Sequence, residues 1–199
     1  MEEKITYFET PGIDNTGETL RLALERAEAR GINKILLAST RGDTARLAAE
    51  RYAGKDIKLV VVPHQYGFMQ EQRFTPELVS ELEQKGHKVH FGTMLFHTEN
   101  FYGNRASTSL ANMLRVFCQG MKVVVEITLM TADAGCVAIG EQVVVVTGTG
   151  RGADTAAVVT ASTSTKLADL HVTEIICKPL QTSSLPPPRP PTPESTAQR

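Results

Sequence analysis

The residues best equipped to hold an anion are consecutive: Ser39-Thr40-Arg41-Gly42-Asp43-Thr44. Three hydroxyls can donate, Arg41 carries a fixed positive charge, and Gly42 lets the backbone approach a ligand closely. The segment follows an apolar strand, Lys34–Ala38, and precedes a helix reaching to about Ala53. The free N–H groups and positive dipole end of that helix therefore fall at the same place. A phosphate site requires these parts. The same residues also suit an ordinary Ser/Thr capping turn, and the local residues are consistent with either role.

Other segments add candidate contacts. His64-Gln65-Tyr66-Gly67-Phe68 follows a strand over residues 57–62. In an open parallel sheet that edge receives ligands, and two aromatics around a glycine can border a planar ring or simply cover the sheet edge. Residues 122–129 (KVVVEITL) read as a β-branched strand, which places Met130, Asp133 and Gly135 at its far end. Asp133 then either bonds a ligand or caps an Asp-x-Gly turn. Met130 either touches a ring or fills the core. Glu126 inside this apolar run is costly unless paired, so it marks a site or a half-exposed face.

The glycine-rich run Thr147-Gly148-Thr149-Gly150-Arg151-Gly152 has G-x-G-x-G spacing and is followed by another strand. A dinucleotide fingerprint needs G-x-G-x-x-G opening a helix, so the run does not qualify. Arg151 and Asp154 are left as ligand contacts or as a loop-stabilising ion pair.

Several chemistries find no support. His97-Thr98-Glu99 has the H-x-E of zinc deaminases without the P-C-x-x-C that must follow. The five histidines and three cysteines have no metal-ligand spacing, and an odd, scattered cysteine set reads as reduced thiols. No nucleophile elbow or Walker A motif occurs. A formal net charge of -1 argues against general nucleic-acid binding. The polar N-terminus lacks a signal-peptide core, and no apolar run is long enough to span a bilayer. The expectation is a cytoplasmic protein with no membrane partner.

The elements that must position these groups alternate strand and helix, which points to an α/β layered fold. A first helix is expected from Asn15, capped by that residue with Glu18 reaching back, and stopped at Gly31. Thr75-Pro76 opens another helix. Residues 88–91 read as a short strand. Leu110, Met113, Leu114 and Phe117 mark an amphipathic helix ending at Gly120, while Tyr7 and Phe8 read as core. Residues 143–146, 156–160 and 172–177 are further strands. Residues 97–105 read as a surface loop, open to a lid or homo-oligomer contact. Residues 1–180 are expected to form one domain. Residues 181–199 are a proline-rich, disordered tail whose PxxP spacings suit an SH3-like partner or a plain linker.

The stretch LLASTRGDTARLAAERY resembles the start of the pyruvate kinase C-terminal domain, where a strand enters a T-x-S-G-x-[ST] loop. In some members that loop holds the phosphate of an allosteric sugar phosphate. Aligned on Gly42, Ser39 takes the first Thr position and Thr44 the last hydroxyl position, while Arg41 replaces Ser. The closer resemblance is to free-standing relatives of that domain. It is carried by residues 62–68, 125–135 (VEITLMTADAG), 151–156 (RGADTA) and 174–177 (EIIC). Members of that family look like FMN binders. The resemblance implies a mostly parallel sheet with helices on both faces and a β-rich C-terminal half. It also implies FMN with its phosphate at residues 39–44, and a ring near Tyr66, Phe68, Thr128, Met130, Asp133 and Gly135. A flavin-dependent redox role with an unidentified electron partner would follow. The alternative is a non-catalytic regulatory module that binds a sugar phosphate or nucleotide. Pyruvate kinase chemistry is not expected, because its catalytic groups lie on a (β/α)₈ barrel of about 250 residues.

Overall fold

The computed structural model describes residues 2–182; the expectation for the proline-rich segment falls mostly outside them. Seven strands form one sheet: β1 (Thr6–Phe8), β2 (Lys34–Ala38), β3 (Lys58–Val62), β4 (Lys88–Val89), β5 (Gln142–Thr147), β6 (Thr155–Thr160) and β7 (His171–Pro179). Their order is β1-β7-β6-β5-β2-β3-β4. The pairs β1/β7, β5/β2, β2/β3 and β3/β4 are parallel; β6 is antiparallel to both β5 and β7. The expected α/β class and mostly parallel sheet are therefore present.

Helices cover both faces because strand residues alternate. On one face Ile35, Leu37, Leu59, Val61, Val144 and Val146 pack against α1 (Thr16–Arg30), α2 (Asp43–Arg51) and α3 (Pro76–Gln84). Gly31, in the left-handed conformation, ends α1 as expected. Thr75 caps α3 by accepting from Leu78 N–H, with Pro76 at the first helical position. Asn15 precedes α1 but does not cap it with its side chain; its amide donates to Thr10 O, and Glu18 pairs with Arg21.

The other face holds the main correction. Residues 122–129 are not a strand: they lie within α6 (Gln119–Asp133), whose residues are all buried except Gln119, Val123 and Asp133. Met121, Val124, Ile127 and Met130 pack on Leu36, Val60, Val143 and Val145 of the sheet. Val125 and Leu129 pack on Phe96 and Ala111. A helix buried on opposite sides carries apolar residues all round, so its sequence shows neither helical nor strand periodicity.

Two short helices, α4 (Glu99–Tyr102) and α5 (Ala106–Arg115), precede it, so the 97–105 segment is partly helical. The face of α5 that packs inward is Ala111 and Leu114; the expected apolar face of Leu110, Met113 and Phe117 is exposed. Gly120 lies inside the first turn of α6 and does not end the preceding helix. Tyr7 is half-exposed on the edge strand β1, while Phe8 packs against the core. Among the described residues, no helix is long and apolar enough to cross a membrane.

Candidate functional site

Strands β2, β3 and β5 run parallel and end at Ala38, Val62 and Thr147. Their C-terminal edge opens into a cavity of about 600 Å³, a size suited to a small organic ligand. Residues from three helix N-termini line it: Thr16 and Gly17 of α1, Asp43 and Thr44 of α2, and Gln119 of α6. Each brings free N–H groups and the positive end of a dipole.

Residues 39–44 divide their work. Ser39 is buried, donates its N–H to Val62 O at 3.2 Å and accepts from Ala45 N–H at 3.3 Å. Its side chain is thus a capping group for α2. Thr40, Arg41, Asp43 and Thr44 line the cavity as well, and Arg41 forms no hydrogen bond or ion pair among the described residues. Gly42 forms the turn itself. Its φ is +90°, and a Cβ there would lie 2.7 Å from Leu78 Cδ1.

From the 64–68 segment, His64 and Phe68 line the cavity. Gln65 instead accepts from Met94 N–H at 2.6 Å, Gly67 forms a turn at φ +79°, and Tyr66 is 64% exposed against Phe91. Phe68 places its ring edgewise between His64 (centroids 4.8 Å apart) and His97 (5.0 Å). His64 Nε2 lies 3.3 Å from Thr40 Oγ1, so this histidine touches the anion loop directly.

The helical state of α6 re-sorts the candidates around Met130. Residues three and four apart now share a face, and Gln119, Lys122, Val123, Glu126, Ile127 and Met130 line the cavity. Thr128 is buried and donates to Val124 O at 2.7 Å. Asp133 accepts from Ser164 N–H at 2.8 Å, and Gly135 lies beyond the helix end; neither lines the cavity. Lys122 and His97 were not legible as site residues. The signal available was a Lys and a Glu four apart within an apolar run, which only a helix can bring together.

On the cavity floor, Lys122 and Glu126 form an ion pair with side chains 1% and 3% exposed. Lys122 Nζ also lies 3.1 Å from His97 Nε2, and Glu126 Oε1 accepts from Phe96 N–H at 2.9 Å. Burial pushes the Lys122 ammonium below its ordinary pKa, opposed by Glu126. His97 is held down first by burial and then by Lys122. Burial and the neighbouring His97 likewise depress His64.

Between β5 and β6 the glycine-rich run is a hairpin connection, and Gly148, Gly150, Arg151 and Gly152 line the cavity. Asp154 lies beneath it, fully buried. Its oxygens accept from Gly12 N–H (2.9 Å), Thr149 N–H (3.1 Å) and the Thr155 hydroxyl (2.8 Å). Asp154 thus holds the loop through backbone groups and makes no ion pair with Arg151. Arg41, Arg51, Arg73 and Arg151 ring the opening, where Asp43 is the one carboxylate among the described lining residues apart from the paired Glu126. A chain of formal net charge -1 has therefore gathered a local excess of positive charge here.

A pyruvate kinase from Cryptosporidium parvum is matched at TM-score 0.40 and 14% identity, over 72% of this chain and 23% of that one. The same organism's pyruvate kinase in complex with ADP is matched at TM-score 0.37 and 15% identity, over 70% and 22%. The chain thus spans less than a quarter of the length of those enzymes. The family model described as "Pyruvate kinase, alpha/beta domain" matches residues 18–159, well over half of the sequence. The chain belongs to the pyruvate kinase alpha/beta domain family.

Proposed function

We propose that the cavity binds a phosphorylated ligand, FMN in the first instance, with its phosphate at residues 39–44. The observation that carries this reading is the convergence of three helix N-termini and a ring of arginines on one strand-end cavity. A phosphate dianion is the small group that best complements free N–H donors, helix dipoles and guanidinium forks together. Apolar walls from Val62, Phe68, Met94, Ile127 and Met130 offer room for a flat ring beside that phosphate. Bound FMN would supply hydride and electron transfer; this chain's residues would hold and orient it.

Protein purified without added flavin, then incubated with FMN and gel-filtered, should retain flavin absorbance. Arg41→Glu, an exposed change that reverses charge at the loop, should lose it, as should Gly42→Asp. Failure of the wild-type protein to retain flavin would remove FMN and leave a different phosphorylated ligand. Family membership favours one second reading, a non-catalytic regulatory module that takes a sugar phosphate or nucleotide. Turnover of NAD(P)H by the flavin-loaded protein separates the two, since a regulatory module would show none.

A further inference from the structure

The floor of the cavity has a hydrogen-bonding character of its own. An ammonium has three N–H donors. Glu126 and His97 Nε2 engage two of those on Lys122, and the third has no hydrogen-bond acceptor among the described residues, the ammonium lying 5.5 Å from the centre of the Phe96 ring. With Nε2 accepting, neutral His97 carries its proton on Nδ1, for which no described residue is a partner. Glu126 is occupied on both oxygens, by Lys122 and by Phe96 N–H. The unengaged donors at the floor are thus the third Lys122 N–H and His97 Nδ1–H, and the groups beside them, Phe68, Met94, Ile127 and Met130, are apolar. A buried ion pair gives little net stability compared with an apolar pair of similar volume. Its presence on a cavity wall points toward a binding role.

We propose that Lys122 and His97, held by Glu126, form a second recognition point that takes a carbonyl oxygen of a planar heteroaromatic ring. The inference rests on the phosphate reading above and narrows it: the ligand is a phosphorylated molecule whose far end is a carbonyl-bearing ring, not a simple sugar phosphate. Lys122 and His97 would fix the orientation of the ring while residues 39–44 and the arginines hold the phosphate.

Lys122→Met alone would strand a buried carboxylate and can fail to fold. The Lys122→Met/Glu126→Gln pair is neutral and keeps an acceptor for Phe96 N–H, and circular dichroism checks its fold. Calorimetric titrations of wild type and this double variant with FMN, riboflavin and inorganic phosphate form the test. The expected result is FMN binding far tighter than phosphate in the wild type. In the double variant FMN and riboflavin should each weaken by about ten- to hundredfold, with phosphate affinity unchanged. Undiminished FMN binding by the folded double variant would overturn the floor assignment while leaving the phosphate site standing. Wild-type protein that binds phosphate but FMN no tighter would also overturn it, and FMN with it. If neither ligand binds, the phosphate reading and this inference fall together.

Discussion

Gly120 and Thr155 touch so closely that a Cβ on Gly120 would lie 2.0 Å from Thr155 Oγ1. This contact joins the first turn of α6 to β6, and Thr147 Oγ1 reinforces it by donating to Gly120 O at 2.9 Å. Thr155 cannot retreat freely, because its hydroxyl donates to the buried Asp154. Gly120→Ala should therefore push α6 off the sheet and cost about 2–3 kcal/mol. Urea unfolding measures it. A loss below about 0.5 kcal/mol would mean that α6 does not dock as described.

The same contact shows why part of the fold was legible and part was not. Strands such as Lys34–Ala38 are short apolar runs bounded by turn residues, and Thr75-Pro76 is a helix start by local chemistry alone. Local chemistry also marked the 39–44 segment, because an anion loop is built from neighbours in sequence. For α6 the decisive information is tertiary. Its valines favour a strand locally, and only the sheet on one side and Phe96 and Ala111 on the other make a fully buried helix the better solution. Misreading it carried Thr128, Asp133 and Gly135 to the wrong edge and hid the Lys122–Glu126 pair.

Asp154 ties three donors beneath the glycine-rich loop, so removing it should disturb the cavity from below. Asp154→Ala leaves the N–H groups of Gly12 and Thr149 without their acceptor, at about 2–4 kcal/mol of stability. Asp154→Asn keeps one oxygen acceptor and should cost less. Ligand affinity should fall in both folded variants, since the loop carries Arg151 to the opening. Unchanged affinity in Asp154→Asn would show that the loop's position does not matter to binding.

Acid should weaken the fold in two stages. Burial is the largest cause of depressed pKa values at His64, His87, His90 and His97, with nearby cations or another histidine adding to it. Each therefore stays neutral in the fold at a pH where the unfolded chain already binds a proton. Their contribution is complete above the unfolded value of 6.5 and is lost as pH falls through the lower folded values. Glu141 and Glu174, each held down by hydrogen bonds to basic side chains against the opposing effect of burial, contribute above 4.5 and lose that contribution below it. Urea midpoints taken from pH 7.5 to 4 should decline first below about 6.5 and then more steeply below about 4.5. A midpoint constant down to pH 5 would contradict the buried, neutral state of the histidines.

Thiol reactivity offers a check on the packing of β7 and α6. Cys177 is fully buried, and burial, with Asp154 nearby, pushes its thiol up to about 12. Cys118 is also buried, and its sulfur accepts from Met121 N–H at 3.4 Å. Cys136 follows α6 and is partly exposed. Because the thiolate is the reactive form and needs access, native protein treated with iodoacetamide near neutral pH should be labelled at Cys136 alone. All three cysteines should react after denaturation. Peptide mapping by mass spectrometry reads the sites. Rapid native labelling of Cys177 would mean that β7 opens, and rapid labelling of Cys118 that the first turn of α6 frays and exposes the cavity floor.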